Sequence, residues 1–329
     1  MALILVVFVV ALASILVLNL AYSTFMGSRV SVMVEHSMQA EYLLKSAVNF
    51  ARVLIKEDTS PEDAYQDLWG KFSGGSPIPL DLLGIKQPNM QIELEIRPEE
   101  SKVPLRAMVP IAGGEPDLKW RGVMTRLFRN LGFDDDQEED QTGLFPGRHF
   151  SSEELVANLI DYMDQDKESY NPGDFASGIE SDLPPDTFPN SRINRVGEIK
   201  VIPGFTPARI RKLEPLVTVF GNSRINVNLA PAVVIKSLSD DISDAEVEAM
   251  LAFRKSDDGP FTFENQKEKL GEMIGEPQYD KINTMISVES RWFQVLSKVD
   301  YGTSTYFMRA FLSKQGNGEL PQIRSVELF

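Results

Sequence analysis

An acidic segment from Asp161 to Asp182 contains the residue types best suited to chemistry in this sequence. It holds seven carboxylates against one base, Lys167, with Asn171 and Gly173 among them. A loop crowded with oxygen ligands after a helix suits a hard cation such as Ca²⁺, which gathers about six to eight oxygens and relieves their mutual repulsion. The seven acids are Asp161, Asp164, Asp166, Glu168, Asp174, Glu180 and Asp182.

The spacing of these acids differs from that of an EF-hand. Asp164, Asp166 and Glu168 begin like an EF-hand loop, but the glycine at the sixth place and the glutamate at the twelfth are absent. The spacing by itself therefore leaves two interpretations open, a calcium site and a solvated acidic loop. A second acidic run, residues 134–140, is typical of a solvated loop, with cation binding as its alternative.

Motifs of catalysis are missing from the sequence. The two histidines, His36 in a helical stretch and His149 in a loop, have no Ser/His/Asp spacing around them, and there is no P-loop or zinc ligand set. The absence of cysteine excludes thiolate chemistry and disulfides. Asn226 and Asn228 are predicted to cap a helix that opens at Pro231. We therefore expect a protein that is not an enzyme.

The chain that positions these acids begins with an uncharged apolar stretch, Met1 to Ala21. About 20 such residues cross a bilayer as a helix, and the stretch lacks the basic start and cleavage site of a secretory signal. Apolar spacing of three and four continues to Lys56, which predicts one helix about 80 Å long, or two helices hinged at Gly27. We expect its second half to pack on a domain through one stripe of side chains. The stripe comprises Ala40, Leu44, Ala47, Val48, Ala51 and Ile55.

Strand patterns occur on both sides of a long helical block. Ile92, Leu94 and Ile96 alternate with polar residues, which predicts a half-buried strand, and residues 104–111 are its expected partner. The period is helical from Ser151 to about Ile286. After Ile286 the hydrophobic period changes to two residues, which is typical of strands. The strands predicted there span residues 292–299, 305–312 and 322–329.

This order predicts an α+β fold. We expect the early and late strands to form one antiparallel sheet packed on the amphipathic half of the long helix, with the helical block inserted between them. The roughly 300 residues outside the membrane suit two domains better than one core. The predicted parts are a transmembrane half-helix (1–28), an amphipathic helix with the first part of the sheet domain (29–112), an inserted acidic helical domain (113–286) and the strands that complete the sheet (287–329).

Three patches of the sequence resemble one protein family. Residues 159–166 are similar to that family's Leu-(Ile/Val)-Asp-Trp-x-Asp-x-Asp run, residues 204–219 to its next segment, and residues 225–231 to its Ile-Asn-Val-Asn-Thr-Ala-Pro signature. Together with the apolar start and the late strands, they resemble the type IV pilin-like proteins of type II secretion, and within them the K family of minor pseudopilins, general secretion pathway protein K. The resemblance covers nearly the whole chain.

The resemblance implies a pilin-like fold whose helical insertion binds calcium. It implies Asp161, Asp164, Asp166 and Glu180 as the first ligands, because the family's Gly-Ala-Glu is matched by Gly178 to Glu180. Acids that could join them are Glu168, Asp174 and Asp182.

The resemblance also implies a place and partners for the chain. Pilin-like subunits usually carry a glutamate at the fifth mature position, where Leu5 stands here, and the K family typically lacks it, which implies a position at the pseudopilus tip. Met1 stands where phenylalanine is commoner, and residues 102–105 do not reproduce the family's early strand. We expect a single-pass anchor in the bacterial inner membrane, subject to N-terminal methylation, with the bulk of the chain in the periplasm. The implied partners are the minor pseudopilins I and J, H as a further one, and the outer-membrane secretin or secreted cargo.

A DNA-binding function is the alternative from a different class. Residues 202–210 look like a helix-hairpin-helix turn, similar to the repeats of membrane-anchored competence proteins, whose backbone amides hold a phosphate. This hairpin has a single glycine, Gly204, and a second hairpin places Asp240 and Asp241 where phosphate would lie. The formal net charge of −15 also repels nucleic acid. We therefore expect a helix-hairpin-helix-like (SAM-like) block used for packing, and no nucleic acid partner.

Overall fold

The computed structural model describes residues 2–84, 90–110, 114–302, 304–316 and 318–329. The helices are α1 (Ala2–Lys56), α2 (Leu118–Asn130), α3 (Ser152–Met163), α4 (Pro207–Leu213), α5 (Ala232–Lys236), α6 (Asp244–Phe253), α7 (Gln266–Ile274) and α8 (Glu276–Ile282). The strands are β1 (Ser76–Pro77), β2 (Ile92–Pro98), β3 (Val103–Pro104), β4 (Val217–Thr218), β5 (Ile225–Asn226), β6 (Ile286–Ser287), β7 (Trp292–Tyr301), β8 (Ser304–Ser313) and β9 (Gln322–Leu328).

Helix α1 is continuous through Gly27, so the single-helix prediction is confirmed. All six residues of the predicted stripe are buried, together with Leu54. Every side chain from Ala2 to Glu35 is exposed, and this half has the length and composition of a membrane span. Met1 lies outside the described residues, and Leu5 is exposed on the helix. One helix therefore joins an unpacked apolar half to a half embedded in the fold.

Early and late strands form one antiparallel sheet in the order β1-β2-β7-β8-β9, as the sequence predicts. Alternation explains the pairing, because Ile92, Leu94 and Ile96 of β2 are fully buried, while Glu93 between the first two and Arg97 after the last are exposed. The register places Leu94 opposite Ser297 of β7. The buried stripe of α1 covers this apolar face, which confirms the α+β fold with its helical block between sheet strands.

The predicted partner of the early strand is wrong. Within residues 104–111, Pro104 belongs to β3, which pairs in parallel with β4 of the helical block rather than with β2. Proline has no N–H to donate to a ladder, and the chain turns in a 3-10 helix at Leu105–Ala107. Leu105 and Met108 are instead buried in the core of the helical block. Ile111 lies outside the described residues.

Two hydrophobic cores divide the described chain. One contains the α1 stripe, β2, β7 and β8, and the other runs from Val103 to Val288 through the helical block. Leu229 of the block reaches into the first core. The bounds drawn from the sequence at residues 112 and 286 stay a prediction, and residue 112 lies outside the described ranges.

Buried polar groups hold the segment that returns from the helical block to the sheet. The Asp63 carboxylate accepts from Ser290 N (2.7 Å) and from the buried ammonium of Lys314 (3.0 Å). The Glu100 carboxylate accepts from the next two backbone amides, at residues 291 and 292 (3.1 and 3.0 Å). Each carboxylate thereby satisfies donors that burial would otherwise leave unpaired.

Asn226 belongs to the same junction and is not a helix cap. Its Nδ2 donates to Asp63 O (3.1 Å) and Ser290 Oγ (3.0 Å), while its Oδ1 accepts from Asn228 N (2.9 Å). Asn228 in turn exchanges two hydrogen bonds with the backbone of Phe261. The expectation that these asparagines cap the helix at Pro231 is wrong, because they connect separate segments instead.

Replacing Asn226 by Ala should destabilise the protein by about 3 kcal/mol, because it leaves the Asp63 carbonyl and the Asn228 amide buried without partners. Asn171→Ala, at an exposed position, is the control and should change stability by less than about 0.5 kcal/mol. Denaturant unfolding of the detergent-solubilised chain measures both. Equal midpoints for the two variants would contradict the structural role of Asn226.

Candidate functional site

Helix α3 positions the acids of the candidate cation site. Its start is a capping box, in which Ser151 N donates to Glu154 Oε2 (2.8 Å) and Glu154 N donates to Ser151 Oγ (3.3 Å). The helix ends at Met163, and Asp164 follows with extended backbone while its N–H still donates to Ile160 O (2.9 Å). Asp161 and Asp164 therefore project from the last turn toward the loop of residues 165–190.

Asp161 organises this loop through its backbone. The carboxylate is fully buried and accepts from Tyr170 N (2.6 Å), Ile179 N (2.7 Å) and Glu180 N (2.8 Å). Gly178 allows this approach, since a Cβ there would lie 2.1 Å from Asp161 Oδ2. Asp161 is thus a positioning residue, and both of its oxygens are engaged by amides rather than turned toward a cation.

Three other predicted ligands come together. Carboxylate oxygens of Asp164, Asp166 and Glu180 all lie within 4.8 Å of one another. The Asn190 amide joins them, because its Nδ2 donates to Glu180 Oε1 (2.8 Å) and to the carbonyl of Asp166. Among the described residues, Asp164 Oδ1, Glu180 Oε2 and Asn190 Oδ1 are buried acceptors without a hydrogen-bond partner. These unsatisfied oxygens belong to Asp164 and Glu180 of the cluster and to Asn190, which is hydrogen-bonded to Glu180, so the group has free acceptors for a cation.

The electrostatics of the cluster also favour a cation. Burial, reinforced by the carboxylates of Asp166 and Asp161, raises the pKa of Asp164 to about 8. Burial likewise raises the pKa of Glu180, against the hydrogen bond from Asn190. Repulsion between buried carboxylates is relieved by a proton or by a bound cation. The donors are all oxygens, with no imidazole or thiolate among them, so the set fits a hard cation such as Ca²⁺.

The remaining predicted acids are placed differently. Glu168 is exposed and lines a cavity of about 620 Å³ that Asp164 and Asp166 also line. Asp174 is exposed, with its carboxylate 3.9 Å from Arg121 Nη1, and Asp182 is exposed within the loop. These three lie outside the cluster of buried oxygens.

Asn190 is the site residue that sequence reasoning missed. It lies 24 residues beyond Asp166, in a Pro-Asn dipeptide typical of turns, and its backbone is left-handed with φ 45°. No local signal separates it from other turn asparagines. Its role depends on the fold that brings it beside Glu180.

The second acidic run is a structural element and not a solvated loop throughout. Asp136 forms an ion pair with the buried guanidinium of Arg209 (2.6 Å), and Asp140 Oδ1 accepts from Gly204 N (3.0 Å). The hairpin amide that would face a phosphate is therefore already engaged by a carboxylate. Asp240 and Asp241 of the second hairpin pair with Arg126 (3.1 Å) and Lys281 (2.9 Å).

A second group of carboxylates, Asp58, Asp63 and Asp67, lies just after the end of α1. Asp58 accepts from Ser60 Oγ (2.5 Å) and Trp69 Nε1 (3.3 Å), and Asp67 accepts from Ala64 N (2.7 Å). Burial raises the pKa of Asp67 to about 7, and the charges of Asp58 and Asp63 act in the same direction. Protein donors satisfy this group, so it has a structural role at the junction.

Comparison with known proteins places the chain in context. Two family models described as type II secretion system (T2SS), protein K, match residues 101–222 and 225–288. A curated Escherichia coli relative assigned to type II secretion system protein K is 23% identical over 234 residues, which cover 69% of this chain. The alignment spans 64% of that relative, less than two thirds of its length.

A solved structure shares the fold. In the crystal structure of the GspK-GspI-GspJ complex from the type 2 secretion system of enterotoxigenic Escherichia coli, one chain matches with a TM-score of 0.65 and 16% identity. The match covers 91% of this chain and 99% of that chain. The long helix, the antiparallel sheet and the helical block therefore form a known architecture.

Calcium should stabilise the protein by about 2.7 kcal/mol when its free concentration is a hundred times the dissociation constant. Asp164→Asn and Glu180→Gln should each abolish most of this increment, because each removes an unsatisfied charged ligand. Asp182→Asn removes the same charge two residues from Glu180 and should retain the calcium-dependent stabilisation. Melting curves in calcium and in chelator measure the increment.

Asp161→Asn distinguishes the loss of a cation ligand from the loss of the hydrogen bonds that hold the loop. It should lower the melting temperature in chelator as well as in calcium, because an amide nitrogen cannot accept from the backbone N–H groups. A parent protein whose melting curve is unaffected by chelator would exclude the cation site.

Asp63 and Asp67 should make stability fall as pH rises, because burial raises the pKa of their carboxyl groups to about 6 and about 7. The folded pKa of Asp67 is raised from 3.8 to about 7, so its contribution is fully present below about pH 4 and is lost as pH approaches 7. Asp67→Asn keeps an oxygen that accepts from Ala64 N and should gain about 1 kcal/mol over the parent between pH 5 and pH 8. Asp257→Asn, at an exposed position, should follow the parent. A pH-independent difference between Asp67→Asn and the parent in urea unfolding would contradict the shifted pKa.

Proposed function

The chain belongs to the type II secretion system protein K family, whose models together match more than half of it, and from that premise we propose that it is a structural minor pseudopilin at the pseudopilus tip. In this function it initiates or caps assembly with other minor pseudopilins and supports protein export across the outer membrane. The observation that carries the proposal is the exposed, uncharged half of α1.

This half of α1 requires an apolar cover. Its side chains from Ala2 to Ser28 include no charge, and the first carboxylate in the sequence is Glu35. A lipid bilayer covers such a helix before assembly, and the apolar helices of other pseudopilins cover it afterwards. We infer a single-pass inner-membrane anchor with the folded part in the periplasm.

The missing carboxylate supports a place at the tip. In a bundle of apolar helices, a carboxylate is tolerated only when a neighbouring positive group pairs with it. A helix without such a carboxylate needs no positive group from a subunit above it, and its apolar surface still packs beside subunits below. The uncharged residues 2–28 therefore support a capping position.

The partners follow from the shared fold. The matching crystal structure contains GspI and GspJ beside GspK, and we propose I- and J-type minor pseudopilins as partners of this chain. The acidic helical block then lies at the exposed end, where it faces the secretin or the cargo. A bound Ca²⁺ at Asp164, Asp166 and Glu180 would hold the loop of that block in one conformation.

The DNA-binding alternative gains no support from the hairpins. Gly204 N donates to Asp140, and Asp240 and Asp241 bring negative charge to the second hairpin. Both features oppose phosphate binding. The proposed role is accordingly structural, without catalysis and without nucleic acid.

Co-expression of the full chain with I- and J-type subunits tests the proposal, with recovery of both partners from detergent-solubilised membranes as the measurement. Leu5→Glu should insert in the membrane but reduce recovery more than about tenfold, because an unpaired carboxylate in an apolar bundle costs about 3 kcal/mol. Leu5→Met is the control and should recover partners as the parent does. Normal recovery and secretion with Leu5→Glu would contradict the tip argument.

A further inference from the structure

The two edges of the main sheet differ in how well they are protected from pairing with another strand. The β1 edge has only two residues, and one of them is Pro77, which lacks an N–H; short strands and proline protect sheet edges from pairing. The β9 edge is seven residues long and contains no proline. Within the described residues, no strand pairs with its outer side. The fold therefore blocks one edge and leaves the other open.

The register shows which backbone groups β9 offers. Phe307 and Phe329 exchange two hydrogen bonds (2.9 and 3.0 Å), so they form a hydrogen-bonded pair of the antiparallel ladder. Hydrogen-bonded and non-hydrogen-bonded pairs alternate along such a ladder. Val326 and Leu328 fall in the non-hydrogen-bonded pairs, so their N–H and C=O groups point away from β8. Both residues are 46% exposed. The outer edge thus presents donors and acceptors at the spacing of a strand.

Cavities flank this edge on both faces of the sheet. On the face toward α1, a cavity of about 480 Å³ is lined by Ile323, Val326 and Leu328 of β9 and by Val48 of the helix. On the opposite face, a cavity of about 510 Å³ lies between β9 and the helical block. A strand added to β9 would direct alternate side chains into the two cavities.

The two cavities differ in chemistry. The first is mainly apolar. The second is lined by aromatic rings that include Phe220 and Phe311, and by a rim with three arginines and one lysine against three glutamates. Arg195 and Arg309 each lie 3.7 Å from Glu327, and Arg195 is 77% exposed, so these ion pairs are loose. In a chain with a net charge of −15, such a rim is suited to carboxylates of an incoming strand.

We propose that β9 accepts an extended strand from a neighbouring pilin-like subunit, with apolar side chains facing α1 and acidic side chains facing the arginine rim. The inference rests on the proposed assembly with other pseudopilins and names the surface that this assembly uses outside the helix bundle. The backbone ladder supplies affinity, and the two cavities supply selectivity.

Val326→Pro tests the ladder. It removes an outward N–H at an edge position where proline is sterically tolerated, so the protein should fold with an unchanged melting temperature while partner binding weakens about tenfold. Val326→Thr retains the N–H and the β-branched shape, and should bind as the parent does. The measurement is recovery of I- and J-type subunits with the full chain in detergent.

Arg195→Glu tests the rim without touching the ladder. Recovery of the partners should fall several-fold, more at low than at high salt, whereas Arg211→Glu, an exposed substitution on α4, should leave it unchanged. If the parent recovers no partner, the proposed function fails. If the parent and both test variants recover partners equally, the strand proposal is wrong while the proposed function stands. The same conclusion follows if the full chain self-associates through β9 and Val326→Pro abolishes that self-association.

Discussion

A single helix has to satisfy two environments, and the rest of the molecule follows from that constraint. The buried stripe of α1 between Ala40 and Ile55 is covered by the sheet, whereas the side chains from Ala2 to Glu35 have no cover within the described chain. Burial of apolar surface is the main favourable term in folding and association, so the exposed half requires lipid or other helices. The sheet fixes where the helix leaves the folded part: the turn at Gly302 lies so close to His36 that a Cβ there would be 2.5 Å from His36 Nδ1.

The helical block is attached to this body by buried polar groups rather than by apolar contact alone. Asp63 and Glu100 bind consecutive amides of the returning segment, and Asn226 joins both sides of the junction. Such networks stabilise one arrangement because each missing partner costs the desolvation of a buried group. The candidate cation site lies in the loop after α3, where Asp161 accepts from three backbone amides and three other oxygens have no hydrogen-bond partner among the described residues. Rigid attachment, together with the cation binding that we propose for this loop, would suit a helical block at the proposed pseudopilus tip.

Sequence periodicity was sufficient for the elements that depend on one buried face. It identified the α1 stripe, β2 and the late strands, because alternation and helical spacing report burial directly. It failed for residues 104–111, where a proline and a tertiary contact with β4 override the local pattern. The resemblance implied Asp161, Asp164, Asp166 and Glu180 as ligands. Carboxylate oxygens of the last three lie within 4.8 Å of one another, whereas the oxygens of Asp161 accept from the amides of residues 170, 179 and 180, and no local pattern distinguishes the two cases. Asn190 and the open β9 edge depend on long-range packing and have no local signal.

The central claim is that the uncovered half of α1 packs against helices of other pilin-like subunits. The chain contains no cysteine, so a single cysteine at Leu12 or Leu16 reports on that surface alone. Disulfide formation requires Cα atoms within about 7 Å, which makes the cross-link a distance measurement. In membranes that also contain I- and J-type subunits with a cysteine at the matching depth, we predict heterodimeric cross-links from these positions and none from a cysteine at Asp257. Cross-links between copies of this chain alone, or none from α1, would contradict the account.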